Sequence, residues 1–164
     1  MNAPAVKAAA ASLTEGNPAP AFDMPVDGGG RVSLQGLRGK RIVLYFYPKD
    51  DTPGCTIEAK DFRDFMTDFQ ALNTVVVGVS KDDLESHAAF KEKYCLPFPL
   101  ASDEDGAVCD AYGTWGEKSM YGKTFMGIDR ATFLIDEKGI VRRIWRKVKV
   151  DNHVKDVLEA IKAL

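Results

Sequence analysis

An α/β fold built on one mixed sheet is predicted by three observations. Residues 41–47 (RIVLYFY) and 74–79 (TVVVGV) are β-branched and aromatic runs that read as buried strands. Each is followed by a segment whose apolar residues recur at helical spacing. The chain then closes with a hairpin and an amphipathic helix. This order places a parallel β-α-β half beside an antiparallel half, with helices on both faces of the sheet. A length of 164 residues, 45% of them hydrophobic and 28% charged, fits one soluble domain that buries a full core without disulfides or metals. Residues 1–14 read as a flexible Ala-rich tail and 15–164 as the domain.

The elements follow in order. Pro18, Pro20, Pro25 and Gly28 to Gly30 mark turns around a short strand, predicting a hairpin over 17–31. The triple glycine lacks the Lys-Ser/Thr of a phosphate loop. After the strand at 41–47 comes a loop, 48–54. A helix is predicted over 55–70, with Ala59, Phe62, Phe65, Met66 and Phe69 near helical spacing. Ser80 or Asp82 is expected to cap a helix over 83–94, which Pro97 must end. A short strand at 98–101 and a short helix at 105–112 follow. Strands at 132–135 and 140–146 flank the turn Asp136-Glu137-Lys138-Gly139. The last helix, 151–164, carries Val154, Val157, Leu158 and Ile161 on one face. This is the thioredoxin-like arrangement; flavodoxin-like folds do not usually end in a hairpin and a helix.

Composition excludes several functions. Lys and Arg number 22 against 24 Asp and Glu, a net charge of −2, whereas nucleic-acid binding wants a basic surface. The basic residues between Arg142 and Lys149 alternate with apolar ones and read as a solvated strand face. No apolar run reaches the roughly 18 residues of a membrane span. Three cysteines are too few, and an odd number, for a secreted disulfide scaffold, so a reducing compartment such as the cytoplasm is expected. No metal or cofactor is expected. Cys55, Cys95 and Cys109 lie 40 and 14 residues apart, and neither His87 nor His153 has a close ligand partner in sequence. His87 is expected on an exposed helix face and His153 in the first turn of the last helix. The acidic run from Asp103 to Gly106 reads as a turn.

Chemistry is expected in the loop Pro48-Lys49-Asp50-Asp51-Thr52-Pro53-Gly54-Cys55, beyond the carboxyl end of a buried strand. Pro53-Gly54 opens a helix and puts Cys55 in its first turn, where free N–H groups favour an anion such as a thiolate. A thiol near pKa 8.5 is about 3% ionised at pH 7, so complete ionisation gains about thirtyfold. Enzymes usually reach at least ~10⁶, so a fast thiol catalyst must also orient and polarise its substrate. Asp50 and Asp51 oppose ionisation if they lie close, and a cation from elsewhere would have to outweigh them. Position 58, where a dithiol oxidoreductase carries its second sulfur, is Glu58.

The segment YFYPKDDTPGCTIEAKDFRD resembles the active-site signature of peroxiredoxins, Pro-x-x-x-Thr/Ser-x-x-Cys, through Pro48, Thr52 and Cys55. The stretches SDEDGAVCDAYGTWGEKSMYGK, GIDRATFLID and WRKVKV are similar to the peroxiredoxin Q, or bacterioferritin comigratory protein, subfamily. The likeness runs from about Glu15 to Leu164. It implies a thiol-dependent peroxidase of hydrogen peroxide and organic hydroperoxides, with Cys55 passing through a sulfenic acid. Thr52 would hydrogen-bond the peroxide, Pro48 would shield the pocket, and Arg130 would be the missing cation. The resemblance further implies a thiol reductant (thioredoxin, glutaredoxin or a small thiol) and a monomer. Many members carry a resolving cysteine five residues after the peroxidatic one, which is Lys60 here; others carry it at a position that matches Lys91. Cys95 could resolve Cys55 if both helix ends unravel, Cys109 could do so, or an external thiol acts alone. A disulfide exchanger and a non-enzymatic redox sensor or holdase are the competing readings.

Overall fold

The computed structural model describes residues 13–164. Seven strands form one sheet in the order β2-β1-β5-β4-β3-β8-β9: β1 (Asp23–Val26), β2 (Gly30–Ser33), β3 (Arg41–Phe46), β4 (Thr74–Ser80), β5 (Leu100–Ser102), β8 (Ala131–Ile135) and β9 (Val141–Arg146). The core strands β3, β4 and β5 run parallel, with Val43 opposite Val76 and Val79 opposite Ala101. Antiparallel pairs β3–β8 and β8–β9 extend one side, and β5–β1 and β1–β2 the other. The sheet is mixed, as the element order requires.

Strand alternation splits the core into two layers. Ile42, Leu44 and Phe46 of β3 face one side with Val77 and Val79. The short helix α4 (Ala107–Ala111) packs there through Val108 and Cys109, next to Tyr112. Val43 and Tyr45 face the other side, against α1 (Pro53–Asp64), α2 (Met66–Ala71), α3 (Leu84–Tyr94) and α5 (His153–Lys162). The thioredoxin-like arrangement with helices on both faces is present. Val154, Val157, Leu158 and Ile161 of α5 are buried together, as their spacing predicts.

Three local expectations need correction, and one element was not foreseen. The helix expected over 55–70 is two helices, broken at Phe65 (φ −105°, ψ 11°), where the Phe65 N–H turns back to the Phe62 carbonyl. The helix at 84 is capped by Asp83, not by Ser80 or Asp82: Asp83 accepts from the Ser86 N–H at 2.8 Å. The strand near 100 starts two residues later than expected. A hairpin of β6 (Trp115–Met120) and β7 (Lys123–Ile128) stands as a separate two-stranded sheet. Its turn is Tyr121-Gly122, both with positive φ (54° and 77°), which is the primed geometry that suits a two-residue hairpin.

The tail expected over 1–14 falls outside the described residues except for Leu13 and Thr14. Leu13 packs on the core, and Thr14 donates its N–H to Asn17 Oδ1 at 2.9 Å. Among the described residues, no helix is long and apolar enough to cross a membrane.

Candidate active site

β3 ends at Phe46, and the chain leaves the sheet through a loop that returns as α1. Thr52 is the N-cap residue, extended at φ −94° and ψ 158°, and Pro53 occupies the first helical position. Cys55 therefore sits third in the helix, where the N–H groups have no intrahelical acceptor and favour negative charge. Its side chain is buried, at 1% exposure.

Arg130 reaches this turn from the opposite side. The β6–β7 hairpin delivers the chain to Asp129-Arg130, and β8 starts at Ala131. The Arg130 carbonyl accepts from the Val148 N–H at 3.0 Å. Its Nη2 donates to Cys55 Sγ at 3.4 Å, and its Nη1 donates to Glu58 Oε1 at 2.7 Å. Glu58 lies three residues after Cys55 and is fully buried. Burial pushes its carboxyl up to about 7, against the downward pull of Arg130. For Arg130 the balance is opposite: burial would lower it, but the Glu58 carboxylate and the Cys55 sulfur hold it above the ordinary guanidinium range. Arg130 is thus a fixed cation at the sulfur.

Gly54 leaves room for this contact. A Cβ at that position would stand 3.1 Å from Arg130 Nη2. Thr52 Oγ1 donates to the Lys49 carbonyl at 2.8 Å, so its hydroxyl proton is committed and its lone pairs remain as an acceptor. Pro48 is half-buried at the start of the loop. The loop is tied down at Asp51, which accepts from Lys93 Nζ at 2.8 Å and from the Tyr94 hydroxyl at 2.9 Å.

The structure brings Cys55 and Arg130 into contact across 75 residues. Sequence reasoning missed Glu58 as a partner of Arg130. The signal was its place one helical turn beyond Cys55 on a face that must be buried. It also misplaced His87, which is fully buried and bonded to Asp50 Oδ2 at 2.8 Å and to the Ala101 carbonyl at 2.9 Å. The helix bearing it has few large apolar residues, which hid its inner face. His153 is in the first turn of α5 as expected; burial pushes it down to about 4. Asp50, Asp82 and His87 gather within 4.8 Å, but both Asp50 oxygens and both ring nitrogens are already engaged by protein groups.

The other cysteines differ sharply. Cys109 is sealed in the core, and burial together with Asp103 pushes its thiol far up. Asp103 accepts from the Val108 and Cys109 N–H groups and so starts α4, which is the role of the acidic run. Cys95 is exposed and ends α3 in a left-handed conformation at φ 55°. Lys91 pairs with Asp27 at 2.9 Å.

Residues 16–144 match the AhpC/TSA family. A peroxiredoxin Bcp of Bacillus subtilis is 49% identical, covering 90% of this chain and 94% of the relative. A putative peroxiredoxin bcp of Coxiella burnetii is 51% identical, covering 90% and 97%. The solved bacterioferritin comigratory protein of Xanthomonas campestris superposes with a TM-score of 0.83 at 44% identity, covering 87% of this chain and 90% of that one. A loop that ends in a buried cysteine against a distant arginine and near-complete coverage at about half identity lead to one conclusion: this chain belongs to the AhpC/TSA family, among the peroxiredoxin Q, or Bcp, peroxiredoxins.

Proposed function

We propose that this protein is a thiol-dependent peroxidase in which Cys55 is the peroxidatic cysteine. The observation that carries the reading is the Arg130 Nη2 to Cys55 Sγ contact at 3.4 Å, at a helix N-terminus. The thiolate attacks the terminal oxygen of a hydroperoxide, a sulfur–oxygen bond forms and the O–O bond breaks. Cys55 becomes a sulfenic acid, and the leaving hydroxide or alkoxide takes a proton to give water or an alcohol. Thr52 Oγ1 accepts a hydrogen bond from the hydroperoxide O–H, Arg130 stabilises the oxygens as charge passes to them, and Pro48 screens the site from water. An external thiol then attacks the sulfenic sulfur and releases water; a second thiol frees Cys55.

The relative from Xanthomonas campestris is described with alkyl peroxide reduction activity, which supports organic hydroperoxides as substrates here. Thioredoxin, glutaredoxin or a small thiol fits as reductant, acting on a monomer in a reducing compartment such as the cytoplasm. Cys95 fits as an intermediate carrier because the Asp51–Tyr94 bond sets the Cys55 loop against the residue before it. A disulfide exchanger is disfavoured because Glu58 is locked to Arg130 where a second sulfur would be needed.

The test is peroxide consumption in excess dithiothreitol. The parent is expected to turn over many times and Cys55→Ser not at all. Unchanged turnover in Cys55→Ser would discard the assignment. Oxidation once per chain, without recycling, would favour the sensor reading.

A further inference from the structure

The loop that carries Cys55 is held chiefly through one buried carboxylate. Asp50 accepts from the Tyr47 hydroxyl at 2.6 Å, from Ser86 Oγ at 2.7 Å and from His87 Nδ1 at 2.8 Å. Its own N–H donates to Asp82 Oδ2 at 2.8 Å. The other tether of the loop, Asp51 to Lys93 and Tyr94, is exposed and therefore weak.

The protonation of this network follows from its geometry. A backbone carbonyl can only accept, so His87 Nε2 carries a hydrogen toward Ala101. Asp50 Oδ1 accepts from the Tyr47 hydroxyl and Oδ2 from Ser86 Oγ, so both oxygens act as acceptors. A bare ring nitrogen 2.8 Å from a carboxylate oxygen would set lone pair against lone pair, so Nδ1 also carries a hydrogen. Both ring nitrogens of His87 thus face acceptors, the arrangement that suits a protonated ring bridging Asp50 to β5.

A second requirement comes from the chemistry. Cys55 is 1% exposed, so a reductant's sulfur cannot reach its sulfenic acid while the first turn of α1 stays in place. The loop must be held for oxidation and released for reduction.

We propose that His87 is a positioning residue for the Cys55 loop: the proton bridging its ring to Asp50 latches the loop for attack on peroxide, and breaking that bridge opens Cys55 to the reductant. The inference rests on the peroxidase reading. The groups facing His87 are Asp50 from the loop, Tyr47 at 3.5 Å from the end of β3, Asp82 before α3 and the Ala101 carbonyl of β5. Burial would lower His87, but Asp50, Ala101 and Asp82 outweigh it and hold the imidazole above its ordinary value. The latch is therefore fully present below the ordinary histidine value of 6.5 and is lost as pH rises through the elevated one.

The experiment compares the parent with His87→Leu and His87→Asn, all in a Cys95→Ser background so that no internal disulfide intervenes. Asparagine keeps a donor at the Nδ1 position and cannot titrate. Amide hydrogen exchange of residues 49–52 is read in the reduced proteins without peroxide. Oxidation by hydrogen peroxide and reduction of the preformed sulfenic acid by dithiothreitol are then timed separately. In His87→Leu, exchange is expected to speed by about tenfold, the change that loss of one charge-assisted hydrogen bond produces. Oxidation should slow and reduction should accelerate. His87→Asn should restore all three at about pH 6, and should lack the parent's rise in corrected exchange as pH increases. Unchanged exchange in His87→Leu, or oxidation and reduction slowing together, would overturn the latch. Failure of the parent to react with peroxide would instead strike the peroxidase reading, and the exchange result would still decide the latch.

Discussion

Replacing Glu58 by Gln removes a charge that the fold holds at a cost. The carboxylate is fully buried, its Oε1 accepts from Arg130, and its Oε2 has no partner among the described residues. Burial raises it from the ordinary carboxyl value of 4.5 to about 7. A carboxyl raised in the folded state binds protons more tightly there than in the unfolded chain. Its stabilising contribution is thus fully present below 4.5 and lost as pH rises through about 7. At about 1.4 kcal/mol per unit, the parent should lose about 2–3 kcal/mol between pH 5 and pH 8 from this group alone. Glu58→Gln keeps the hydrogen bond to Nη1 but cannot ionise. Both proteins carry Cys55→Ser, which removes the thiol that shares Arg130, so the double difference in urea unfolding free energy isolates Glu58. The parent should lose about 2–3 kcal/mol more than the variant over that interval. Parallel profiles would mean that the carboxylate is already ionised and compensated at pH 5, and would refute the argument that burial dominates over Arg130.

Two further outcomes follow from the same geometry. Arg130→Met removes the donor to Sγ and should lower the second-order rate of Cys55 oxidation by about 10²–10³, measured by stopped flow; a change below threefold would remove Arg130 from the mechanism. In the native protein, iodoacetamide should label exposed Cys95 readily and leave Cys109 unmodified until denaturant is added, as read by peptide mass; native labelling of Cys109 would contradict its sealing in the core.

The strands and the last helix were legible because their residues are bulky and strictly patterned. Ile42 to Tyr47 fill both faces of a central strand, and Val154 to Ile161 fill one face of a helix. The β6–β7 hairpin was not, because its residues are mostly exposed and carry no core-facing stripe; only the Tyr121-Gly122 turn marks it. The break at Phe65 has neither proline nor glycine to announce it. Cys55 stands out in the sequence because its loop ends a buried strand and opens a helix, whereas the roles of Thr52 and Pro48 are implied by the family resemblance. Arg130 could be read only through the family resemblance, since its approach to Cys55 is set by the sheet order β3-β8 and not by local spacing. His87 and Glu58 were lost for a common reason: each is a polar side chain buried only because a distant partner satisfies it.

The most direct test is to find where the first oxygen goes. The protein is treated with one equivalent of hydrogen peroxide in the presence of dimedone, which traps sulfenic acids, and is mapped by peptide mass. The adduct should fall on the peptide carrying Cys55 in the parent, and its yield should collapse in Arg130→Met. An adduct on Cys95 with Cys55 untouched would contradict the account.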